Sequence, residues 1–463
     1  MHRLPSLFRF FTRCFIRPAV LGLLFSAAFA SLPAASSWDG KAPAEYVLSV
    51  ETDKPDAIYH QGDTVTFNIQ LQHNQQPATE GSVDWVISKD GVPPIEKGTV
   101  QIVDGKASIT GKLGEPGFLH CEVTYKHDKD KFVALAGAAI DPLAIRQALP
   151  CPADFDEFWA AKKKELAAIP MDPQLTPVPM PADRPGPVVE CFDVKLASVG
   201  VPVSGYYARP IGAKPKSCPA RLCVPGAGVR SADLTSAVRY AQKGVISMDI
   251  NAHGILNGQP PAYYAALDAG ELKDYRTRGR ESRDTYYFLD AHLRTLRALE
   301  FLKAQPEWDG HTLVIEGGSQ GGGLAFAGAA LDPQVTFFVA MVPALCDHGG
   351  LAIGRISGWP KLVPLTAEGK PDPAVLEASR YFDSANFASR IKAPCFSWVG
   401  FLDVTCPPTA SYAALNNLTG KKEIVNDPSH GHGTDGTKVW PKVSQVISEH
   451  LAEQAKTKPA SAP

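Results

Sequence analysis

Beyond residue 35 the chain has no apolar run long enough to span a bilayer, so nothing in the remaining sequence is expected to cross a membrane as a helix. It also lacks a run of basic residues. With 46 Lys and Arg against 48 Asp and Glu, the formal charge is −2, and nucleic acid is not an expected partner. None of the nine cysteines forms a C-x-x-C pair, which removes the usual spacing of a structural zinc site.

What is present starts with a leader. Residues 1–35 carry Arg3, Arg9, Arg13 and Arg17 with no acid, then an apolar stretch over 19–29, then small residues ending at Ala30 or Ala35. This is the order of a cleaved export signal, and the apolar stretch is short for an anchor helix. A periplasmic or extracellular protein with no membrane contact after cleavage is expected, and losing the four arginines takes its formal charge from −2 to −6. Export permits disulfides among Cys121, Cys151, Cys191, Cys218, Cys223, Cys346, Cys395 and Cys406, but the even number fixes no pairing. Cys191, Cys223 and Cys395 lie in apolar segments, where a buried free thiol is the commoner state.

A length of 463 residues suggests two or three domains. Within 40–141, Val65, Phe67, Ile69 and Leu71 form one face of an alternating run, as do Val83, Trp85 and Ile87, then Leu119, Cys121, Val123 and Tyr125. Asp90-Gly91 and Asp104-Gly105 are turn pairs between such runs. About seven strands in this span predict an all-β, immunoglobulin-like sandwich. It shows no catalytic cluster, so a spacer or packing partner is expected, with a carbohydrate-binding surface using Trp85 or Tyr59 as the alternative. After a boundary at 141–152, Asp154 and Glu157 read as a capping box opening a helix with Phe155, Phe158, Trp159, Leu166 and Ile169 on one face. A proline-rich wrap over 170–187 follows, then two alternating segments, 188–196 and 202–208, expected to pair antiparallel at a sheet edge. From there short apolar strands at 221–224, 245–250, 313–315, 337–342 and 396–399 are separated by helices, one carrying Leu289, Leu293, Leu296 and Leu299. Residues 150–452 therefore predict a doubly wound, mostly parallel α/β sheet, and the polar residues 453–463 a disordered tail.

Gly317-Gly318-Ser319-Gln320-Gly321 directly follows the apolar Leu313, Val314 and Ile315 and precedes a small-residue run over 324–331. The order reads as strand, sharp turn and helix, with Ser319 at the tip of a G-x-S-x-G elbow of the α/β-hydrolase kind. Such a turn exposes the hydroxyl and leaves the Gln320 amide at a helix N-terminus, facing a developing oxyanion. That fold supplies nucleophile, acid and base in this chain order. Asp403, just past the strand around 395–400, is the candidate acid, and the loop Asn426-Asp427-Pro428-Ser429-His430-Gly431-His432-Gly433 holds the candidate base. Spacing alone does not choose between His430 and His432. His-x-His beside Asp427 and Asp435 also offers metal ligands, but no further member of such a cluster is apparent, and neither a metal nor a cofactor is expected. The loop Val224-Pro225-Gly226-Ala227-Gly228 nominates the Ala227 amide as second oxyanion donor.

Gly317 to Gly322, the segment Val342-Pro343-Ala344-Leu345-Cys346-Asp347, the segment Gly400-Phe401-Leu402-Asp403-Val404-Thr405-Cys406-Pro407-Pro408-Thr409 and the opening Phe155-Asp156-Glu157-Phe158-Trp159 together resemble the acetyl xylan esterase and cephalosporin C deacetylase family of α/β-hydrolases over about 150–452. The resemblance implies deacetylation of acetylated carbohydrate through an acyl-serine. It implies His432 as base, because the family's histidine follows a glycine, and Asp403 rather than Asp347 as acid, leaving Asp347 a structural or pocket residue. The chain departs from the family at Asn251-Ala252-His253, where Arg-Gly-Gln is usual, at Leu289 for a common arginine, at Pro225-Gly226-Ala227 for His-Gly-Tyr, and at Gly433 for glutamate. His253 thereby becomes a pocket candidate, and the family's ring-shaped hexamer is put in question, although a homo-oligomer stays open. Two other readings compete with a serine esterase acting on small acyl groups. A prolyl oligopeptidase-type peptidase shares Gly-Gly-Ser-x-Gly-Gly but usually has an aromatic residue where Gln320 stands and a propeller in front. A non-catalytic carbohydrate-binding protein on a hydrolase scaffold has no need of a complete Ser, Asp and His set in legal order.

Overall fold

The computed structural model describes residues 45–457, so residues 1–44, with the expected leader, and 458–463 lie outside the described region. Those described residues fall in one compact unit that contains two sheets.

The first sheet follows from strict alternation. In the strand Val65–His73, Val65, Phe67, Ile69 and Leu71 are buried while Asn68, Gln70 and Gln72 face water. Nine strands join in one hydrogen-bonded path running Tyr46–Thr52, Val65–His73, Lys106–Gly111, Val92–Val103, Glu80–Lys89, Gly117–His127, Asp130–Ile140 and Ile58–Tyr59, with Gln76–Pro77 attached to the second. Midway, Val92–Val103 meets Lys106–Gly111 through the single pair Val103 and Lys106. Between them Asp104 (φ 51°) and Gly105 (φ 76°) both take left-handed backbone, the demand of a type I′ hairpin. The path folds over at that point: the Tyr46 ring, near one end, lies 5.2 Å from Tyr125 and 5.7 Å from Phe132, near the other. Two layers thus enclose one apolar core.

The second sheet places its strands in the order Gln174–Val178, Val189–Leu196, Val203–Pro210, Ile246–Ile250, Cys218–Val224, Trp308–Gly318, Phe337–Met341, Cys395–Gly400 and Lys422–Asp427. The three leading strands are antiparallel to their neighbours, and every later pair is parallel. The proline-rich wrap therefore contributes an edge strand of its own, so the hairpin expected at the edge sits one place in. Alternate side chains of the parallel strands fill two cores. Leu313, Ile315, Phe338 and Ala340 pack toward the helices Tyr287–Lys303 and Gln320–Leu331, whereas Val314, Val339 and Met341 pack toward Gly436–Thr457. Burial on both faces explains their near-continuous apolar sequence. The order in which strands are added reverses at Cys218–Val224, whose successor Ile246–Ile250 lies on one side and whose next partner, Trp308–Gly318, on the other. Loops leaving the carboxyl ends of those two strands diverge there and leave a crevice.

Two local expectations are corrected. Asp154 accepts no capping bond from its helix; its carboxylate instead takes Arg283 Nη1 at 2.6 Å and the Tyr381 hydroxyl, because tertiary donors outcompete a local amide. The tail does not begin at Glu453: the last helix continues to Thr457 through Ala452, Glu453, Gln454, Ala455 and Lys456, all strong helix formers. All eight described cysteines are free thiols, and no described helix is long and apolar enough to cross a membrane.

His292 tests how the core handles a titratable ring. It is 1% exposed, stacks on Trp159 with centroids 5.6 Å apart, and has no partner for either nitrogen. Burial pushes its pKa down to about 3. As pH falls below the usual value of 6.5, the unfolded chain takes up a proton that the folded chain refuses, so stability drains away until the folded ring titrates near 3. His292→Phe removes that term. Its stability relative to the parent should rise by about 1.4 kcal/mol per pH unit between the two values, read from urea unfolding at a series of pH values; a pH-independent difference would contradict this.

Candidate active site

Ser319 stands between the strand Trp308–Gly318 and the helix Gln320–Leu331 with φ 56° and ψ −122°, a backbone conformation that costs on the order of 1–3 kcal/mol for a residue with a side chain. Two glycines make the turn sterically feasible. A Cβ on Gly317 would lie 2.5 Å from the Gly321 carbonyl, and one on Gly321 2.5 Å from the Val224 carbonyl oxygen. The turn is pinned through its backbone: Ser319 N donates to Met341 O at 2.8 Å, and its carbonyl accepts from Gly322 N and Ala344 N, both at 2.9 Å. Gln320 N, at the first position of the helix, has no carbonyl four residues back to bond within it, and so is available to a ligand beside the serine.

His432 joins the two other sequence candidates. Its Nε2 lies 3.0 Å from Ser319 Oγ and its Nδ1 2.8 Å from Asp403 Oδ2. Asp403 is 1% exposed, and its second oxygen accepts from Thr405 N and Cys406 N, each at 2.8 Å, so the carboxylate is fixed by donors on both sides. An ionised acid there demands a proton on His432 Nδ1, which leaves Nε2 as an acceptor facing the serine hydroxyl. His430 turns away to Asp427 Oδ1 at 2.8 Å. Cys406 brings its sulfur to within 4.8 Å of ligand atoms of Asp403 and His432, the one group of this kind among the described residues. It makes a poor metal set, since the acid and base are bonded to each other and burial beside Asp403 pushes the Cys406 thiol well above its ordinary pKa.

The acetyl xylan esterase (AXE1) family matches residues 143–448. The chain belongs to the acetyl xylan esterase family. It is accordingly a carboxylic ester hydrolase. It is 29% identical over 423 residues to the acetyl esterase Axe7A of Xylanibacter ruminicola, covering 89% of this chain and 93% of that protein. That alignment leaves too few residues unmatched to omit the β layers entirely. Among solved structures, the chain resembles the acetyl xylan esterase of Paenibacillus sp. R4 at TM-score 0.56 and 26% identity, over 68% of this chain and 98% of that one. Acetyl Xylan Esterase 1 of Thermoanaerobacterium sp. JW/SL YS485 gives 0.54 and 25%, over 67% and 97%.

One of the segments that sets this chain apart in sequence, the loop Pro225-Gly226-Ala227-Gly228, is contacted by another, His253. Gly228 N donates to the Tyr275 hydroxyl at 3.2 Å, which donates in turn to Gln320 Oε1 at 2.9 Å. Gly228 O faces His253 Nε2 at 3.2 Å, and His253 Nδ1 faces the Tyr287 hydroxyl at 2.8 Å. Burial holds the His253 pKa down to about 4, so the ring is neutral and carries one proton. Since Gly228 O can only accept, that proton sits on Nε2, and the single Tyr287 hydroxyl proton faces two acceptors, His253 Nδ1 and Ala252 O, each at 2.8 Å. Arg294 completes the chain by donating to Ala252 O at 2.7 Å. His253 therefore braces the loop as well as lining a cavity of about 520 Å³ with Tyr287 and Leu289. Asp347 is not brought to the serine: its carboxylate accepts from Ala148 N at 2.6 Å and lies 3.3 Å from Arg355. Tyr275 and Arg294 carry no motif, and their part in the site was not readable from spacing.

Tyr275→Phe deletes one hydroxyl and takes the partner from both the half-buried Gly228 N and the buried Gln320 Oε1. If the loop's amide must be held for the reaction, kcat on an aryl acetate should fall roughly tenfold with KM little changed, from loss of preorganisation. Steady-state kinetics on the purified variant decide it, and an unchanged kcat would remove the loop brace from the mechanism.

Proposed function

We propose that this protein is a serine esterase that removes acetyl, or another small acyl group, from carbohydrate through a covalent acyl-serine. The observation that carries the reading is His432, bonded at once to Ser319 Oγ at 3.0 Å and to Asp403 at 2.8 Å. In the proposed cycle Ser319 Oγ attacks the ester carbonyl while its proton passes to His432 Nε2. The oxyanion forms against the amides of Gln320 and Ala227. Collapse expels the sugar hydroxyl, which leaves with that proton. Water then gives a proton to His432, attacks the acyl-serine and releases acetate, restoring the serine. The family description and the acetyl esterase relative support acetyl as the acyl group and an acetylated polysaccharide as its source.

The leader at residues 1–35 supports export to the periplasm or beyond. For the β layers we favour an immunoglobulin-like sandwich over 40–141 ahead of a catalytic domain over 150–452. The support is the two-layer packing of Tyr46 against Tyr125 and Phe132.

The test is acetate release from acetylated xylo-oligosaccharides and from an aryl acetate. The parent protein should act on both. Ser319→Ala and His432→Ala should each lose about three to four orders of magnitude in kcat, Asp403→Asn a comparable amount through the wrong imidazole tautomer, and His430→Ala little. Turnover of the aryl ester alone would keep the esterase and reject xylan. Full activity in His432→Ala with loss in His430→Ala would overturn the base assignment.

A further inference from the structure

The acid and base loops are tied to each other before anything else touches them. Phe401 N donates to Asp427 O at 2.9 Å, and Leu402 N donates to His430 O at 3.0 Å. What then covers these two loops is the β-layer region. His120, on the strand Gly117–His127, directs Nε2 at Phe401 O at 2.5 Å, two residues ahead of Asp403. Gly137, on the neighbouring strand Asp130–Ile140, donates its amide to Pro428 O at 3.0 Å, four residues ahead of His432. Around them Phe118 packs edge-on against Phe401 at 5.0 Å, and the Asp90-Gly91 turn sits against Val404 and takes the Thr409 hydroxyl on Asp90 Oδ1 at 2.6 Å.

We propose that the β layers are part of the catalytic apparatus, with His120 and Gly137 as positioning residues that hold the acid and base loops in register for Asp403 and His432. The inference rests on the triad assigned above and goes beyond it by giving the N-terminal region a part in the chemistry. A spacer would be expected to bury apolar surface wherever it lay. Here polar donors from two adjacent strands reach backbone carbonyls of the two loops that must meet at the serine.

The fit at these points leaves no slack. A Cβ on Gly137 would stand 2.6 Å from Phe401 Cβ and 3.3 Å from Pro428 O, pressing on both loops at once. A Cβ on Gly91 would stand 2.6 Å from Val404 Cγ1 and 2.9 Å from His120 Nδ1, so the turn closes over the far side of the same ring. His120 is 6% exposed, and desolvation keeps it neutral, with its proton on the nitrogen that faces the carbonyl. Removing that donor leaves Phe401 O buried and unpaired, and the cheapest relief is movement of the loop that carries Asp403. Catalysis is sensitive to shifts of that size: misplacement by about 1 Å can cost on the order of a hundredfold in rate.

The experiment compares the full chain with His120→Ala, His120→Gln, Gly137→Ala and, as control, Ile69→Val in the β-layer core away from the loops. It reads aryl acetate kinetics, the rate at which a fluorophosphonate labels Ser319, and the melting temperature. His120→Ala should lower kcat and the labelling rate together by about tenfold, with KM within about twofold. His120→Gln, whose side-chain amide can restore the donor, should recover most of the loss, and Ile69→Val should keep both rates while melting earlier. Folded His120→Ala with unchanged kcat and labelling would overturn the proposal, as would an equal loss in Ile69→Val. Should His120→Ala not fold, Gly137→Ala and His120→Gln decide: parent-like rates in Gly137→Ala overturn it, and slowed labelling there with retention in His120→Gln supports it. A parent protein that neither hydrolyses acetate esters nor labels at Ser319 would instead sink the esterase reading itself.

Discussion

The left-handed backbone of Ser319 is the constraint around which the site is arranged. Held at φ 56°, the residue would relax toward ordinary helix or strand geometry if its neighbours allowed it. Two backbone bonds, to Met341 O and from Ala344 N, tie the turn into the adjacent parallel strand and the loop after it, and a third, from Gly322 N, closes it onto its own helix. The same crowding that excludes a side chain at Gly317 and Gly321 presses the elbow between its helix and the Val224 carbonyl. The hydroxyl is left outside the helix axis, by the crevice where the strand order reverses. Strain of this kind persists only in a site determined from several directions, so the stiffness of the central strands and the exposure of the serine share one cause.

A fixed serine sets a tolerance for the groups that come to it. His432 and Asp403 reside on separate loops leaving neighbouring strands, Lys422–Asp427 and Cys395–Gly400. Parallel strands orient such loops the same way but do not fix their height above the sheet. Backbone bonds between the loops set their relative position, and the β layers close over the outer side. The half-exposed His432 ring thus has a rigid partner beneath it in Asp403, while its own loop is tethered at Pro428. The Phe118 and Phe401 edge contact adds about 0.5–1.5 kcal/mol of its own. A histidine placed this way stays within bonding distance of the serine without being buried.

Legibility in the sequence followed the range of the interaction. The elbow, the apolar strands and the leucine stripe of Tyr287–Lys303 were readable because each is set by residues within a few positions of one another. Asp403 was readable because a strand end precedes it. His430 and His432 are equivalent by spacing, and their partners separate them in space: Asp427 for the first, Asp403 and Ser319 for the second. Where a local rule met a tertiary competitor, the local rule lost, as at Asp154, taken by Arg283 and Tyr381. The contact between His120 and Phe401 spans 281 positions and ends on a backbone carbonyl, a group that every residue has. No pattern of side chains can announce such a partner, and the bond from Gly137 to Pro428 is hidden for the same reason.

His253 holds the loop after Cys218–Val224 by its ring. It offers a neutral donor, Nε2–H, to Gly228 O. Neutrality is secured by burial close to Arg294, since a second cation there would face both desolvation and repulsion. The ring is also a rigid plane. That plane stands edge-on to Tyr275 at 4.6 Å and tilted against Tyr287 at 5.7 Å. The loop itself, Pro225-Gly226-Ala227, has little side-chain bulk of its own to hold it. Rings from outside the loop supply packing that its own side chains do not, and their polar edges take both backbone groups of Gly228. A small loop is compatible with an ordered backbone beside the serine because a histidine and a tyrosine grip it from either side.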